Sequence, residues 1–457
     1  MRTTGFGRRV IESEARDLVL VEPENPEPAF RAVPLSHEGL KERIRATLMS
    51  RINPSVAGRM ARQRLRAEIA LLVSAIATEE KVQLNELEES ALAVELTDDM
   101  VGLGPLEPLL EDDEVTDILV NGPYDIYVER YGKLEKTAVR FRDAQHVVNV
   151  AQRIASAVGR RIDESSPMVD ARLADGSRVN IVLPPLVLNG GSISIRKFPK
   201  QNITLETMVD QHNLSAEIAH FLDITARCRV NILISGGTGS GKTTLLNAVS
   251  RCIDSSERIV TIEDAVELRL QQPHVVQMET RAANIEGAGH IPQRELVRNA
   301  LRMRPDRIIV GEVRGGEAYD MLQAMNTGHD GSMSTVHANT PRDALFRLEN
   351  MVLMAAGANL PLRALRAQIA SAINIVVQIE RMRDGIRRID RIVEIGGMEG
   401  EIISMRDLFT FQYRGETRDG FIDGTFEPSR LRPDLTARAA QFGLERQLLE
   451  ALGIAAA

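Results

Sequence analysis

Eight residues near the middle of the chain, Gly236-Gly237-Thr238-Gly239-Ser240-Gly241-Lys242-Thr243, constrain its fold more than any other feature. They follow the apolar run Arg229-Val230-Asn231-Ile232-Leu233-Ile234, which reads as a buried strand. They precede Thr244-Leu245-Leu246, which reads as the start of a helix. Strand, glycine-rich turn, lysine, hydroxyl and helix in that order specify a phosphate-binding loop. The glycines let backbone N–H groups turn inward, where side chains would block them. The positive end of the following helix adds to the same field. Lys242 is placed to reach the β- and γ-phosphates of ATP, and Thr243 to hold Mg²⁺, with Thr244 beside them. The alternative, a glycine-rich turn without ligand, leaves the lysine and hydroxyl unexplained.

Three further segments lie at or just beyond expected strands, where an open α/β sheet places its ligand crevice. Glu263-Asp264 ends the strand expected at 258–262, and a carboxylate there can order or deprotonate water. A helix cap or a solvated acidic pair is the competing reading. Arg307-Ile308-Ile309-Val310-Gly311-Glu312 is an aliphatic strand ending in an acid, with Glu312 near the Mg²⁺ and its waters. His337 closes a further strand after the turn Gly328-His329-Asp330-Gly331 and can contact the γ-phosphate. No His/Cys spacing suggests zinc.

The rest of the chain supplies the frame. At 457 residues it is long enough for two or three domains. Residues 1–35 are acidic and proline-rich and read as a disordered tail. From 36 to 97 the repeats Leu40, Ile44, Leu48, Ile52 and Leu65, Ile69, Leu72, Ile76 predict a bundle of about three helices. Residues 98–205 show short strands, the turn pair Asn121-Gly122 and a helical run at 144–158, and read as α+β. The stretch 197–213, across the end of that domain, reads as a linker. Residues 206–457 alternate helix and strand, which predicts a parallel α/β sheet.

A net charge of −8 gives no general reason to expect a nucleic-acid partner, and without Trp there is little stacking capacity for single strands. A RecA-type nucleic-acid-binding NTPase is therefore the weaker alternative. Cys228 and Cys252 fit a reducing compartment and read as small apolar residues. No leader is apparent, and the uncharged stretches near 179–195 and 368–379 are too short or too broken to span a bilayer. The expectation is a cytoplasmic protein that meets a membrane only through partners.

The four segments 236–244, 258–267, 307–314 and 328–337 resemble the Walker A loop, Asp box, Walker B segment and His box of the secretion ATPase superfamily. Ala265 stands where several branches have proline. The chain is similar, from about residue 36 onward, to the CpaF-type ATPases of Tad (Flp) pilus assembly. That likeness lies in Gly102-Leu103-Gly104-Pro105-Leu106-Glu107-Pro108-Leu109, Arg161-Ile162-Asp163-Glu164-Ser165-Ser166-Pro167-Met168 and Ser192-Ile193-Ser194-Ile195-Arg196-Lys197-Phe198. The resemblance implies a helical bundle, a PAS-like N-terminal domain and a RecA-like ATPase domain. It also implies a homohexamer acting on polytopic inner-membrane platform proteins, and through them on pilin. It implies pilus assembly, with withdrawal by the same ATPase in some systems; a type IV secretion ATPase moving protein or DNA is the alternative. By the same resemblance Glu263 positions or activates water and Glu312 is the Walker B acid, without deciding which takes the proton. Arg172, Arg178 and Arg196 fall where the family brings arginines toward the phosphates, and exposed strand-pairing charge is their other reading.

Overall fold

A computed structural model describes residues 37–52, 57, 60–198, 203–281, 288–356 and 360–455, so the acidic tail lies outside the described residues. The chain divides into two compact units, Met1–Phe198 and Pro199–Ala457.

The first unit opens with the helices His37–Arg51, Arg62–Glu79 and Glu86–Val101. Their shared core contains Ile44, Leu48, Ile52, Leu65, Ile69, Ile76, Leu92 and Leu96, with Leu72 only partly buried against it. The third helix starts on a capping box: Asn85 Oδ1 accepts the Glu88 N–H at 2.9 Å, and the Glu88 carboxylate accepts the Asn85 N–H at 3.0 Å. Next come β1 (Val115–Asn121), β2 (Ile126–Arg130), β3 (Lys133–Lys136), β4 (Met168–Arg172), β5 (Arg178–Val182) and β6 (Ser192–Arg196). They form one antiparallel sheet in the order β3-β2-β1-β6-β5-β4. Alternation puts Ile118, Val120, Val179, Ile181, Ile193 and Ile195 into one core with Val147, Val150 and Ile154 of the helix Ala144–Ala157. Asp99 and His146, 3.3 Å apart and both buried, tie the third helix to that helix.

The second unit begins with helices Leu205–Asp210 and Ala216–Arg227. The first lies in the stretch expected as a linker; Leu205 and Met208 are buried in the unit's core, which is what makes it helical. The strands are β7 (Ile232–Gly236), β8 (Ile259–Glu263), β9 (Val275–Glu279), β10 (Arg307–Val310), β11 (Met333–His337), β12 (Ile375–Arg381), β13 (Arg387–Glu399), β14 (Ile402–Glu416) and β15 (Ile422–Pro428). Their order is β15-β14-β13-β12-β7-β11-β10-β8-β9. From β12 to β9 every pairing is parallel, whereas β13, β14 and β15 are added antiparallel. The expected all-parallel sheet is thus corrected to a mixed one. The parallel strands β7, β8 and β10 are buried throughout, and two separate cores cover the two faces of the sheet. Buried Asn231 joins β7, β11 and β12: its side chain donates to Ala372 O at 2.7 Å and accepts the N–H groups of Gly331 (2.8 Å) and Ser332 (3.1 Å). Cys228 is buried, Cys252 half-buried, and both are free thiols.

Candidate nucleotide site

The phosphate loop leaves β7 at Gly236 and enters the helix Lys242–Ser250. Two of its residues need glycine conformationally, Gly239 at φ +71° and Gly241 at φ +95°. Gly236 is needed for space, because a Cβ there would lie 2.3 Å from Ile379 O. Gly237 borders open space. Lys242 is buried, and its Nζ donates to Gly236 O (3.1 Å) and Gly237 O (2.8 Å). Burial holds this ammonium below the usual lysine range, while Glu312 partly opposes the shift. Thr243 and Thr244 are half-buried in the first turn of the helix.

His337 and Glu312 reach the same place from neighbouring strands. His337 is the last residue of β11; Glu312 lies two residues beyond β10. Lys242 Nζ is 3.3 Å from His337 Nδ1, and His337 Nε2 is 2.7 Å from Glu312 Oε1. Burial, then the nearby Lys242 charge, push His337 below its ordinary value. A neutral ring accepts from Lys242 at Nδ1, while Nε2 stands close to Glu312 Oε1 without the alignment of a hydrogen bond, that oxygen having no hydrogen-bond partner among the described residues. The other oxygen of Glu312 takes Arg314 Nη2 at 2.7 Å, and Arg314 Nη1 continues to Asp264 at 3.2 Å. The hydrogen bond that Arg314 donates to Glu312 holds the guanidinium above its usual pKa. The result is one alternating chain, Lys242–His337–Glu312–Arg314–Asp264.

Glu263 is placed differently. Its buried carboxylate accepts the N–H groups of Glu267 (2.7 Å) and Leu268 (3.0 Å) through one oxygen. It thereby fixes the loop that follows β8. Gly311 makes room for it, since a Cβ at 311 would lie 2.8 Å from Glu263 Cγ. A cleft of about 670 Å³ is lined by Gly237, Thr238, Glu312, Arg314 and His337, with Asn339, Asp343 and Arg347. Glu263 is not part of that lining. Sequence reasoning had not singled out Arg314 or Arg347. Arg314 had a signal in its place two residues after the strand-ending acid, whereas Arg347 becomes visible only when the helix Pro341–Ala356 is folded against the cleft.

In the first unit the three candidate arginines are brought together. Arg172 is directly opposite Arg178, and Arg178 directly opposite Arg196, so they form one row across β4, β5 and β6. Asp117 of β1 continues the row, with Oδ1 3.1 Å from Arg196 Nε. Like charges in direct register destabilise a sheet, and within the row Asp117 offsets Arg196.

The loop fits a nucleotide triphosphate. Gly237 offers an open cradle, and the buried Ser240 Oγ has no hydrogen-bond partner among the described residues. The helix starts on Gly241 without a side-chain cap, which leaves its first N–H groups for a ligand. Thr243 and Glu312 carry oxygen donors of the hard kind that would hold Mg²⁺ together with phosphate oxygens.

Comparison with known proteins agrees with this chemistry. Residues 99–391 match the family model described as type II/IV secretion system protein. A putative conjugal transfer protein of Mycobacterium tuberculosis is 40% identical over 313 residues, covering 67% of this chain and 88% of that protein. The type IV secretion system protein VirB11 of Bartonella henselae is 33% identical over 340 residues, covering 65% of this chain and 92% of that protein. Among solved structures, the VirB11 ATPase of the Brucella suis type IV secretion system is 30% identical, covering 64% of this chain and 95% of that one, with a TM-score of 0.35. The family match spans more than half of the chain and includes the phosphate loop, so the chain belongs to the type II/IV secretion system protein family and is an ATPase with a RecA-like core.

Proposed function

We propose that the chain is a motor that hydrolyses ATP at this site and, as a ring of six copies, drives assembly of a Tad/Flp-type pilus through polytopic inner-membrane platform proteins. The observation that carries the hydrolytic reading is the chain Lys242–His337–Glu312–Arg314–Asp264, which runs from the phosphate loop along the cleft. In this reading Lys242 and the loop amides bind the phosphates, while Thr243 and Glu312 hold Mg²⁺. Glu312 and Glu263 are the carboxylates available to order the attacking water, and His337 contacts the γ-phosphate and reports it to Glu312. The row Arg172, Arg178, Arg196 keeps the role that the family resemblance gives it, positive charge that stabilises the transferring phosphoryl group. The pilus assignment rests on the resemblance of segments 102–109, 161–168 and 192–198. Among the described residues no helix is long and apolar enough to cross a membrane, so in this reading the force passes to partners that do.

A second reading, a type IV secretion ATPase moving protein or DNA, is favoured by the identity to the putative conjugal transfer protein and to VirB11. Two experiments test these readings. The Glu312→Gln variant is expected to bind ATP and to assemble as the wild type does, yet to lose turnover by about a hundredfold or more; undiminished hydrolysis refutes the role of Glu312. Deleting the gene is expected to remove surface pili. Intact pili with lost transfer of DNA or protein assigns the chain to secretion instead.

A further inference from the structure

The outer side of the phosphate loop is covered by a part of the sheet that no phosphate-loop motif includes. The hairpin of β12 and β13 lies against the loop at three points. Ile379 O closes on Gly236, and Arg387 Cδ would be 3.1 Å from a Cβ on Gly241. Arg387 Nε donates to Gly239 O at 3.0 Å. The peptide that Arg387 holds is Gly239–Ser240. In a trans peptide the C=O and N–H point in opposite directions. With the carbonyl turned out to Arg387, the Ser240 N–H is turned into the loop, where it makes a long 3.4 Å contact to Gly237 O. That is an amide already facing inward and weakly engaged. Polarising the carbonyl with a guanidinium strengthens the same peptide's N–H as a donor.

A second cation stands beside it. Arg381 is the direct register partner of Arg387, and its Nη1 lies 4.0 Å from the position of a Cβ on Gly239. Two arginines face each other on neighbouring strands where a sheet would ordinarily place opposite charges. The start of β13 is fixed from behind by the buried Asn213, which donates to Arg387 O at 2.8 Å and accepts the Ile389 N–H at 2.9 Å.

We infer that Arg387, supported by Arg381, is a positioning residue for the triphosphate: it fixes the Gly239–Ser240 peptide with its N–H toward the phosphate oxygens and adds positive field from outside the loop. The inference rests on the ATP-binding reading of the loop and adds a group to it. The test uses the full chain carrying Arg387→Ala or Arg387→Lys, with Lys242→Ala as control. A fluorescent ATP analogue gives Kd, steady-state hydrolysis gives kcat and KM, and thermal unfolding is followed with and without MgATP. Arg387→Ala is expected to raise Kd and KM by about tenfold while kcat at saturation stays within about twofold. Its unfolding temperature without nucleotide stays within about 2 °C of wild type, and the shift produced by MgATP shrinks. Arg387→Lys, which keeps the charge and one donor, recovers part of the affinity. Binding lost in Lys242→Ala but unchanged in Arg387→Ala overturns the assignment alone. Equal destabilisation with and without nucleotide also overturns it, because the role is then structural only. Binding that Lys242→Ala leaves intact removes the phosphate-loop reading and this assignment with it.

Discussion

Arg307 opens β10, is fully buried, and faces a single carboxylate. Its Nε and Nη2 each lie 2.7 Å from the two oxygens of Glu257, a bidentate pair, and Arg229 adds a contact of 3.2 Å to the same acid. Nη1 has only a marginal 3.4 Å contact to Gly331 O, and a Cβ on Gly331 would lie 2.7 Å from it, so the guanidinium has no room to swing toward water. Glu257→Ala therefore strands a buried positive charge. Breaking one partner of such a pair costs about 3–5 kcal/mol. At roughly 2–4 °C per kcal/mol for a unit of this size, unfolding of the second unit should fall by about 10 °C. Because the cost lies in the stranded charge, the double variant Glu257→Leu, Arg307→Met should recover most of the loss. Scanning calorimetry of the nucleotide-free chain reads both effects. Arg307 begins the strand whose other end leads to Glu312, so kcat and KM measured well below the transition should stay within about twofold of wild type. A fall under about 3 °C for Glu257→Ala, or a double variant no more stable than the single one, refutes the reasoning.

Arg314→Ala and Asp264→Asn should each lower kcat, and in a double-variant cycle the effects should couple by about 0.5–3 kcal/mol, because one guanidinium bridges Asp264 and Glu312. Strict additivity in turnover would remove that bridge from the mechanism, and since Arg314 is half-exposed the folding stability should change by about 1 kcal/mol or less. His337 should titrate below the ordinary histidine value, and side-chain NMR of histidine-labelled protein should show it moving upward in Lys242→Ala, where a neighbouring positive charge is gone. The sign for stability follows from the depressed folded value: the neutral ring's contribution is complete above about pH 6.5, the unfolded value, and is lost as pH falls through the folded one. A His337 that titrates at or above about 6.5 in the wild type contradicts the chain of contacts proposed for it.

The parts of the site legible in the sequence are those whose chemistry is local. The phosphate loop is a contiguous run between a strand and a helix, and Glu263, Glu312 and His337 each end an apolar run. The ends of adjacent parallel strands converge by geometry alone. The pairing of Lys242 with His337 could not be read because it depends on β7 and β11 being neighbours, an order the chain direction does not reveal. The three arginines were visible singly, but their direct opposition is a matter of register, which a shift of one residue would abolish. The antiparallel extension was missed for a different reason. β13 and β14 run through polar and charged residues such as Arg391, Glu394, Arg406 and Asp407, so they lack the continuous apolar signal of the buried parallel strands. The helix Leu205–Asp210 is short enough that its two buried residues do not form a period.

Charge bookkeeping along the cleft shows why that extension matters for binding. Without nucleotide, Lys242 and Arg314 are matched by Glu312 and Asp264, with a neutral His337 between them, so the inner chain is close to neutral. Lys242 must exchange its contacts with Gly236 O and Gly237 O for phosphate oxygens, and the net gain from such an exchange is a fraction of a new ionic contact. A triphosphate retains negative charge even with Mg²⁺ bound, and the inner chain has no surplus cation to meet it. The balance must come from groups outside that chain. Among the described residues of the second unit these include the uncapped start of the Lys242–Ser250 helix, the loop amides, Arg347 in the cleft wall, and the Arg381–Arg387 pair that orients one of the amides. In the proposed reading, such a site would add its backbone and outer wall to Lys242 for binding, which would leave Glu312 and His337 to respond to the γ-phosphate rather than to retain it.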